Sequence, residues 1–253
     1  IFQARHHDPF TVLGRHPGGD GRDLIRVYIP GATDVSGVEG NLALERVPGT
    51  DLFEWRGDPV TVPLRYRLAW RDSAHHEHIG HDPYRFLPQI PDFDLHPFNE
   101  GRHRHAYRFL GSHPHEIDGV TGFLFAVWAP NAERVSVVGD FNHWDGRRHP
   151  MRVRGGTGVW ELFIPDILAS RLYKYEIRNR QSGEILLKSD PYAQAYELRP
   201  DTASRITGPS AHDWQDADWL RARGAADWQH APMSIYEVHL GSWQRGPEGE
   251  VLG

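Results

Sequence analysis

Short stretches of alternating or continuous apolar residues recur along the chain. Leu24–Ile29 and Leu172–Ile177 follow a period of two. Phe123–Ala129 and Arg134–Val138 are β-branched or aromatic runs, bounded by Pro, Asn and Gly. Because successive side chains of a strand point to opposite faces, this pattern predicts strands rather than helices. Strands at intervals of about 8–12 residues, with turn signals between them, are typical of an antiparallel sandwich.

The sequence also repeats itself weakly, and internal repeats of this kind decide the domain plan. Five segments of the first half recur in the same order in the second half, at offsets that grow from 97 to 108 residues. The pairs are Pro9–Pro17 with Ala106–Pro114, Leu24–Val35 with Leu124–Val135, Gly49–Trp55 with Gly156–Leu162, Leu64–Asp72 with Leu172–Arg180, and His81–Phe86 with Ser189–Gln194. The repeat therefore predicts two similar sandwiches, with insertions in the second.

Three segments lie outside this repeat. Pro88–His105 shows no clear period, and we expect an ordered linker with at most a short turn of helix. Ser210–Gly224 has acidic residues early, arginines late and a terminal Gly, which predicts a short helix. Ser234–Trp243 alternates and predicts a strand. Because a lone strand cannot bury a core, and because the chain starts at Ile1 without Met, we expect a piece of a longer protein whose third domain starts here.

Composition excludes several function classes. The 253 residues contain no Cys, which excludes disulfides, thiolate metal sites and a cysteine nucleophile. A net charge of −6 argues against a nucleic-acid partner, and no apolar run approaches a membrane span. The many histidines, among them His75, His76, His78 and His81, lack a metal-binding spacing, so we expect no metal and no cofactor. The lack of Cys fits a cytoplasmic protein, although it also suits the periplasm.

Three side chains are candidates for binding a sugar. Trp144 lies in a polar loop after a predicted strand, where an exposed indole provides a platform for a sugar ring; the alternative is that it folds back over the sandwich. Trp160 opens a predicted strand, and the alternative role for it is in the core. Lys174 lies on a predicted strand, and the alternative is a solvated surface residue.

No catalytic group stands out. Glycosidic chemistry needs two carboxyl groups about 5–10 Å apart in a cleft, but Asp140, Asp145 and Asp166 all lie in turn-like sequences, where Asp is favoured for its local hydrogen bonds. Neither a Walker motif nor a Gly-x-Ser-x-Gly motif is present. We therefore predict no catalytic residue in the chain.

Five segments resemble the bacterial 1,4-α-glucan (glycogen) branching enzymes, and together they span nearly the whole sequence. They are "HDPFTVLGRHP", "FAVWAPNAERVSVVGDFNHWDGRRHPMR", "YKYEI", "KSDPYA" and "SIYEVHLGSW". The resemblance implies a mainly β chain with two tandem immunoglobulin-like β-sandwiches, followed by the first strand of a truncated (β/α)8 barrel. It implies an N-terminal sandwich at 1–95, a linker at 96–106, a family 48 carbohydrate-binding module at 107–206, and a helix and barrel strand at 207–253.

The same resemblance implies the activity and the partner. Branching enzymes cleave an α-1,4 link and transfer the chain to a C6 hydroxyl, with catalytic carboxylates on later barrel strands, so we expect this chain to be inactive alone. The partner would be α-1,4-glucan or glycogen, bound by a monomeric enzyme. Trp144 and Lys174 match positions that contact glucan in related modules, whereas a second aromatic falls here on Gln181–Glu184. Two alternatives remain: a binding or scaffold pair without catalysis, and part of a debranching or trehalose-forming enzyme.

Overall fold

The computed structural model describes residues 6–209 and 212–251, without the side chain of Leu240. The chain divides into two units, Ile1–Pro209 and Ser210–Gly253, which we describe separately. The predicted dominance of strands is confirmed in the first unit, where the described residues form sixteen strands and one α-helix, joined by short 3-10 turns.

The elements of the first unit follow the order of the repeat. The strands of the first half are β1 Gly14–Pro17, β2 Asp23–Tyr28, β3 Asp34–Gly37, β4 Leu42–Arg46, β5 Leu52–Gly57, β6 Arg67–Arg71 and β7 Glu77–His81. Helix α1, Asp92–Asn99, follows. The strands of the second half are β8 Gly111–Ile117, β9 Val120–Trp128, β10 Ala132–Gly139, β11 Arg152–Val153, β12 Val159–Pro165, β13 Leu172–Asn179, β14 Ile185–Lys188, β15 Ala195–Tyr196 and β16 Ser204–Arg205.

The first half forms the first module, a single antiparallel sheet that folds over on itself. Its seven strands have the order β1-β2-β5-β4-β3-β6-β7. Strand β4 is shared: Leu42–Leu44 pairs with β3, and Glu45 and Arg46 pair with β5. The two sides of the sheet bury a common core of Ile25, Val27, Ala32, Val35, Leu42, Leu44, Phe53, Val62, Tyr66 and Leu68. This arrangement is a sandwich made from one curled sheet.

The second half forms the second module, a sandwich of two separate sheets. One sheet has the order β11-β12-β9-β8, and the other has the order β10-β13-β16-β15 with β14 beside β13. Phe125, Val135, Leu162 and Tyr173 belong to the core between them. All seven residues of β12 are buried, because its outer face is also covered. A strand buried on both faces has a mainly apolar sequence, which explains the apolar run Phe123–Trp128 of β9 and the composition of β12, where Glu161 is the one charged residue.

The segment between the modules covers that outer face. Ile90, Leu95 and Phe109 pack against Leu124 and Phe163. Helix α1 is longer than the single turn that the sequence led us to expect, at eight residues. The sequence of this helix shows no apolar period, because Leu95 is the only one of its residues that is fully buried. Asp92 and Asp94 in its first turn complement the helix dipole.

The predicted repeat is confirmed by matching contacts in the two modules. In the first, the hydroxyl of Tyr66 donates to the buried Asp82 at 2.6 Å, and in the second the hydroxyl of Tyr173 donates to the buried Asp190 at 2.6 Å. The other oxygen of each carboxylate accepts the backbone N–H two residues later, at 2.9 Å and 2.8 Å. Burial raises the pKa of both carboxyl groups. A buried Tyr–Asp hydrogen bond of the same kind thus stabilises each sandwich.

The second unit contains two short helices among its described residues. Helix α2, Ala217–Ala225, confirms the predicted helix from residue 217 onwards; residues 210 and 211 lie outside the described part. The predicted strand over 234–243 is wrong: residues 234–239 have no regular structure, and Leu240–Trp243 forms one turn, α3. A strand needs a partner to satisfy its backbone, and the one β-bridge within 212–251 joins Arg245 to Val251. The start of a barrel is therefore not confirmed.

Candidate functional site

Trp144 lies in a loop of the second module that begins where β10 ends. A 3-10 turn over Asp140–Asn142 leads into His143 and Trp144, which have left-handed φ angles of 58° and 59°. The backbone N–H of Trp144 donates to the carbonyl of Gly139 at 3.1 Å, and the side chain is 39% exposed. The predicted partial exposure is confirmed. Two successive non-glycine residues in this conformation are costly, and such strain is concentrated at binding and catalytic sites.

Asn142 holds this loop in place. Its side-chain oxygen accepts the N–H of Gly139 at 2.9 Å. Its amide nitrogen donates to the carbonyl of Val137 and to Nδ1 of His149, both at 2.8 Å. All these bonds lie under the loop, and Asn142 is 1% exposed. The position of Trp144 is therefore set by a buried polar anchor rather than by free loop motion.

Lys174 lies on β13 beside this loop. Gly139 pairs with Tyr173, and Val138 pairs with Lys174. Because Tyr173 and Tyr175 point into the core, the intervening Lys174 points to the outer face. Its Nζ donates to Oγ1 of Thr202 at 2.8 Å, which fixes the direction of the side chain.

The loop returns over the same outer face. A Cβ atom at Gly146 would collide with the carboxylate of Glu176, so the loop backbone lies against β13 two residues beyond Lys174. The structure thus places Lys174, Glu176 and the loop backbone at Gly146 on one face of the five-stranded sheet, and the half-exposed Trp144 lies two residues earlier in the same loop. We call this surface the Trp144–Lys174 face.

Arg134 and Glu176, which the sequence did not single out, support this face. Arg134 is 2% exposed and donates from Nη2 to Oε1 of Glu176 at 2.7 Å and from Nη1 to the hydroxyl of Ser136 at 2.8 Å. A buried guanidinium needs such partners. The sequence signal was the charged pair Glu133 and Arg134, directly before the mostly apolar residues 135–138 of β10.

The hairpin after β13 contributes no aromatic ring to the face. Residues 181–184 are Gln, Ser, Gly and Glu. Leu187 pairs with Glu176 and Ile185 with Arg178, so both apolar side chains lie on the outer side, and they are 55% and 52% exposed. Aliphatic rather than aromatic surface therefore continues the face beyond Lys174.

Trp160 is a core residue. Its side chain is 1% exposed, lies among Phe125, Val127 and Leu162, and donates from Nε1 to the carbonyl of Ala129 at 3.0 Å. An indole enclosed in this way cannot contact a sugar in solution. The structure therefore does not support Trp160 as a glucan contact. It supports the alternative role, in the core.

The other residues considered for catalysis or metal binding form hydrogen bonds or ion pairs with neighbouring residues. Asp140 accepts the N–H of Leu172, Asp145 pairs with Arg147, and Asp166 pairs with His81. His76 and His78 face the carboxylate of Asp72. In the part of the chain that the structure describes, no group of three or more His, Asp or Glu side chains is arranged to hold a metal ion.

His149, which is held by Asn142, gives a prediction about pH. Burial, with a smaller contribution from Arg148, lowers the pKa of His149 to about 3. The unfolded chain binds this proton below about pH 6.5, whereas the native state excludes it until about pH 3. Between these values the free energy of unfolding falls as the pH falls, by about 1.4 kcal/mol per pH unit from this group.

The matched variant for this prediction is His149→Gln, which keeps an acceptor for Asn142 but does not titrate. Urea unfolding at pH 7, 6 and 5 should show a shallower loss of stability in the variant than in the parent chain. Identical slopes would show that His149 does not exclude the proton in the native state.

Comparison with known protein families assigns each module. Residues 1–84 match the model described as "alpha-1,4-glucan branching enzyme GlgB, N-terminal domain", and residues 109–193 match "Carbohydrate-binding module 48 (Isoamylase N-terminal domain)". The first span contains β1–β7 of the first module, and the second contains β8–β14 of the second module. In the described residues, no helix is long and apolar enough to cross a membrane.

Curated relatives match over the whole chain. The chain is 54% identical to the 1,4-alpha-glucan branching enzyme GlgB of Cellvibrio japonicus, over all of this chain and 35% of that protein. It is 57% identical to the GlgB of Methylococcus capsulatus, over all of this chain and 34% of that protein. The chain thus spans about a third of the length of these relatives.

A solved pullulanase structure from Bacillus subtilis, in complex with maltose, also matches. It is 19% identical, over 76% of this chain and 26% of that chain, with a TM-score of 0.34, which is too low to assign fold or function. The assignment rests on the two family models and on the sequence matches that cover the whole of this chain. The chain corresponds to the N-terminal region of 1,4-alpha-glucan branching enzymes of the GlgB type, a GlgB N-terminal domain followed by a carbohydrate-binding module 48.

Proposed function

We propose that this chain is the glucan-binding N-terminal part of an enzyme that branches α-1,4-glucans. The intact enzyme would cleave an α-1,4 link and transfer the released chain to a C6 hydroxyl, forming the α-1,6 branches of glycogen. The relatives named GlgB support this activity. As part of the same proposal, the sandwiches occupy 1–95 and 107–206 with a linker at 96–106, and the enzyme acts as a cytoplasmic monomer.

The observation that carries the binding role is the Trp144–Lys174 face. A half-exposed indole can stack on the apolar face of a glucose ring without removing water from the hydroxyl groups. The ammonium group of Lys174, already oriented by Thr202, can donate to those hydroxyls. Because Asn142 fixes the loop before any ligand arrives, little conformational entropy is lost on binding.

Trp144→Ala is the variant that tests this role. We expect glucan affinity to fall by about 1–3 kcal/mol, as for aromatic platforms elsewhere. Affinity electrophoresis in gels that contain glycogen measures it through the retardation of the chain.

The matched control is Trp128→Ala. Trp128 is also an exposed tryptophan, at 55%, but lies on the other sheet of the second module. It should leave the retardation unchanged. Equal retardation of the parent chain and Trp144→Ala, with both folded by circular dichroism, would remove Trp144 from the site.

We also propose that this chain has no branching activity by itself, because the resemblance places the catalytic carboxylates in a barrel beyond residue 253. Incubation of the chain with amylose should leave the iodine absorbance constant. A fall in absorbance would show that the described residues contain catalytic groups, and the structural roles assigned to Asp140, Asp145 and Asp166 would have to be revised.

The alternative of a binding or scaffold pair predicts the same result for the isolated chain. It differs in the intact protein, which would also leave amylose unchanged. The alternative of a debranching or trehalose-forming enzyme predicts free trehalose or debranched chains from the intact protein. The match of residues 1–84 to the GlgB N-terminal domain argues against it.

A further inference from the structure

A second concave surface lies where the two modules meet. It is a cleft of about 260 Å³ that both modules form, and its lining includes residues at the two ends of the loop that carries Trp144. The first module contributes Trp70, Ile79 and His81, and the second contributes Phe141, Arg148 and Asp166. We call this surface the seam cleft.

The two walls of the seam cleft are held together by polar contacts. The backbone N–H of His81 donates to Oδ2 of Asp166 at 3.0 Å, and Nδ1 of the same residue lies 2.8 Å from that oxygen. On the other side, Nη2 of Arg148 donates to the carbonyl of Pro30 at 2.8 Å. Hydrogen bonds between the two modules therefore fix the walls of the cleft within the first unit.

Its lining combines aromatic rings with polar groups that retain bonding capacity. Trp70 is stacked on His78, with ring centroids 5.4 Å apart, and Phe141 packs against His149 at 5.8 Å. Because Asn142 donates to Nδ1 of His149, the proton of that neutral imidazole is on Nε2. No bond from this Nε2 is found among the described residues.

Arg148 adds a second donor. Its Nη2 is bonded to Pro30 and its Nε is enclosed, so Nη1, for which no bond is found within the described ranges, is the atom that can donate to a ligand. Asp166 supplies acceptor oxygens at the opposite wall. The lining thus contains charges of both signs. An anionic ligand would be repelled by Asp166 and Asp82, and a cationic amine would be repelled by Arg148. A neutral ligand rich in hydroxyl groups satisfies both walls.

We propose that the seam cleft binds the end of an α-1,4-glucan chain through one or two glucose units, as a second site beside the Trp144–Lys174 face. The inference rests on the proposed function, which makes glucan the ligand of this chain. The volume is below the range of about 300–1,000 Å³ that is common for drug-sized ligands, and it suits a sugar unit rather than a larger cofactor. A glucan held here would contact both modules at once.

Gly80 provides a variant that fills the cleft without disturbing the fold. A Cβ atom there would lie 3.6 Å from the ring of Trp70 and 3.7 Å from Oδ2 of Asp166, in ordinary contact, and its φ is not positive. Gly80→Ala therefore narrows the space between these two walls. Gly156→Ala is the control, since a Cβ at that loop position meets nothing within 4 Å.

Maltotriose titration followed by amide NMR of the full chain separates the two sites. In a Trp144→Ala background, we expect maltotriose still to shift signals of residues 79–81 and 148–149. Adding Gly80→Ala should weaken this remaining binding at least tenfold, and adding Gly156→Ala should not. Trp70→Leu, which removes the indole wall, is a second variant expected to act like Gly80→Ala.

The outcomes distinguish this inference from the proposed function. If Trp144→Ala abolishes every shift, or if Gly80→Ala and Trp70→Leu leave the residual binding unchanged, the seam cleft is not a glucan site and the Trp144–Lys174 face stands. If Trp144→Ala changes nothing while Gly80→Ala abolishes binding, the seam cleft is the site and the proposed role of Trp144 fails. If maltotriose shifts no signal of the parent chain, the seam cleft is not a glucan site, and glycogen retardation alone then decides the role of Trp144.

Discussion

Glu161→Ala is expected to lower the free energy of unfolding by about 3–5 kcal/mol, the range for breaking a buried ion pair by removal of one partner. Glu161 is fully buried. Its two oxygens accept the backbone N–H groups of Gln89 and Ile90 at 3.0 Å and 2.9 Å. They also pair with Arg152 at 3.3 Å and Arg154 at 3.0 Å. The variant leaves two guanidinium groups and two backbone N–H groups without this acceptor.

The size of the effect follows from where Glu161 lies. It is on β12, on the outer face that the segment Pro88–His105 covers. Its carboxylate binds the backbone of this segment, at Gln89 and Ile90, to the second module. Burial lowers the pKa of Arg152 to about 10, which shows how strongly that site disfavours an uncompensated charge.

Urea unfolding at pH 7 measures the change. The control is Glu116→Ala, an exposed carboxylate on β8, which should stay within about 0.5 kcal/mol of the parent. Equal stabilities for the Glu161 and Glu116 variants would mean that the linker is not held by this carboxylate.

Asp190→Ala is expected to be the second largest effect, a loss of about 2–4 kcal/mol, since several buried groups lose their acceptor together. The hydroxyl groups of Tyr173 and Tyr175 donate to Asp190 at 2.6 Å and 3.1 Å. In the first module, Tyr66 is the tyrosine whose hydroxyl donates to Asp82. Asp82→Ala should cost less, by up to about 1 kcal/mol, because its carboxylate accepts from one hydroxyl rather than two. The difference is limited because the hydroxyl of Tyr175 keeps a second acceptor, the carbonyl of Ala126 at 3.3 Å.

This pair of variants also tests the repeat. Thermal and urea unfolding of the two alanine variants and of Asp190→Asn, which keeps one acceptor oxygen, give the order of stability. We expect the parent to be the most stable, followed by Asp190→Asn and Asp82→Ala, with Asp190→Ala the least stable. If Asp82→Ala cost more than Asp190→Ala, the difference in tyrosine partners would not be what decides the energies.

The sequence was sufficient to predict features that depend on local pattern. The alternation of Tyr173, Lys174 and Tyr175 indicated which side chain points outward, and the structure confirms it. The polar sequence around Trp144 indicated an exposed indole, and it is 39% exposed. The repeat indicated two sandwiches because five segments of the first half recur in the same order in the second half.

Features that depend on tertiary packing could not be predicted from the local sequence pattern. Trp160 lies in a strand buried on both faces, so no alternation distinguished a core residue from a surface one. The alternation of Ser234–Trp243 suggested a strand, but a strand forms only with a partner, and residues 212–251 provide none for it. The seam cleft joins residues from the two halves of the repeat, whose approach no local pattern encodes.

The most direct test of the central claim, that the Trp144–Lys174 face of this chain binds α-1,4-glucan, is an amide NMR titration of the chain with maltoheptaose. We expect the largest shifts in residues 143–147, in Lys174 and Glu176 on β13, and in Thr202, with a saturable dependence on ligand concentration. No shift in these residues at saturating maltoheptaose would contradict the claim, whether or not other parts of the chain respond.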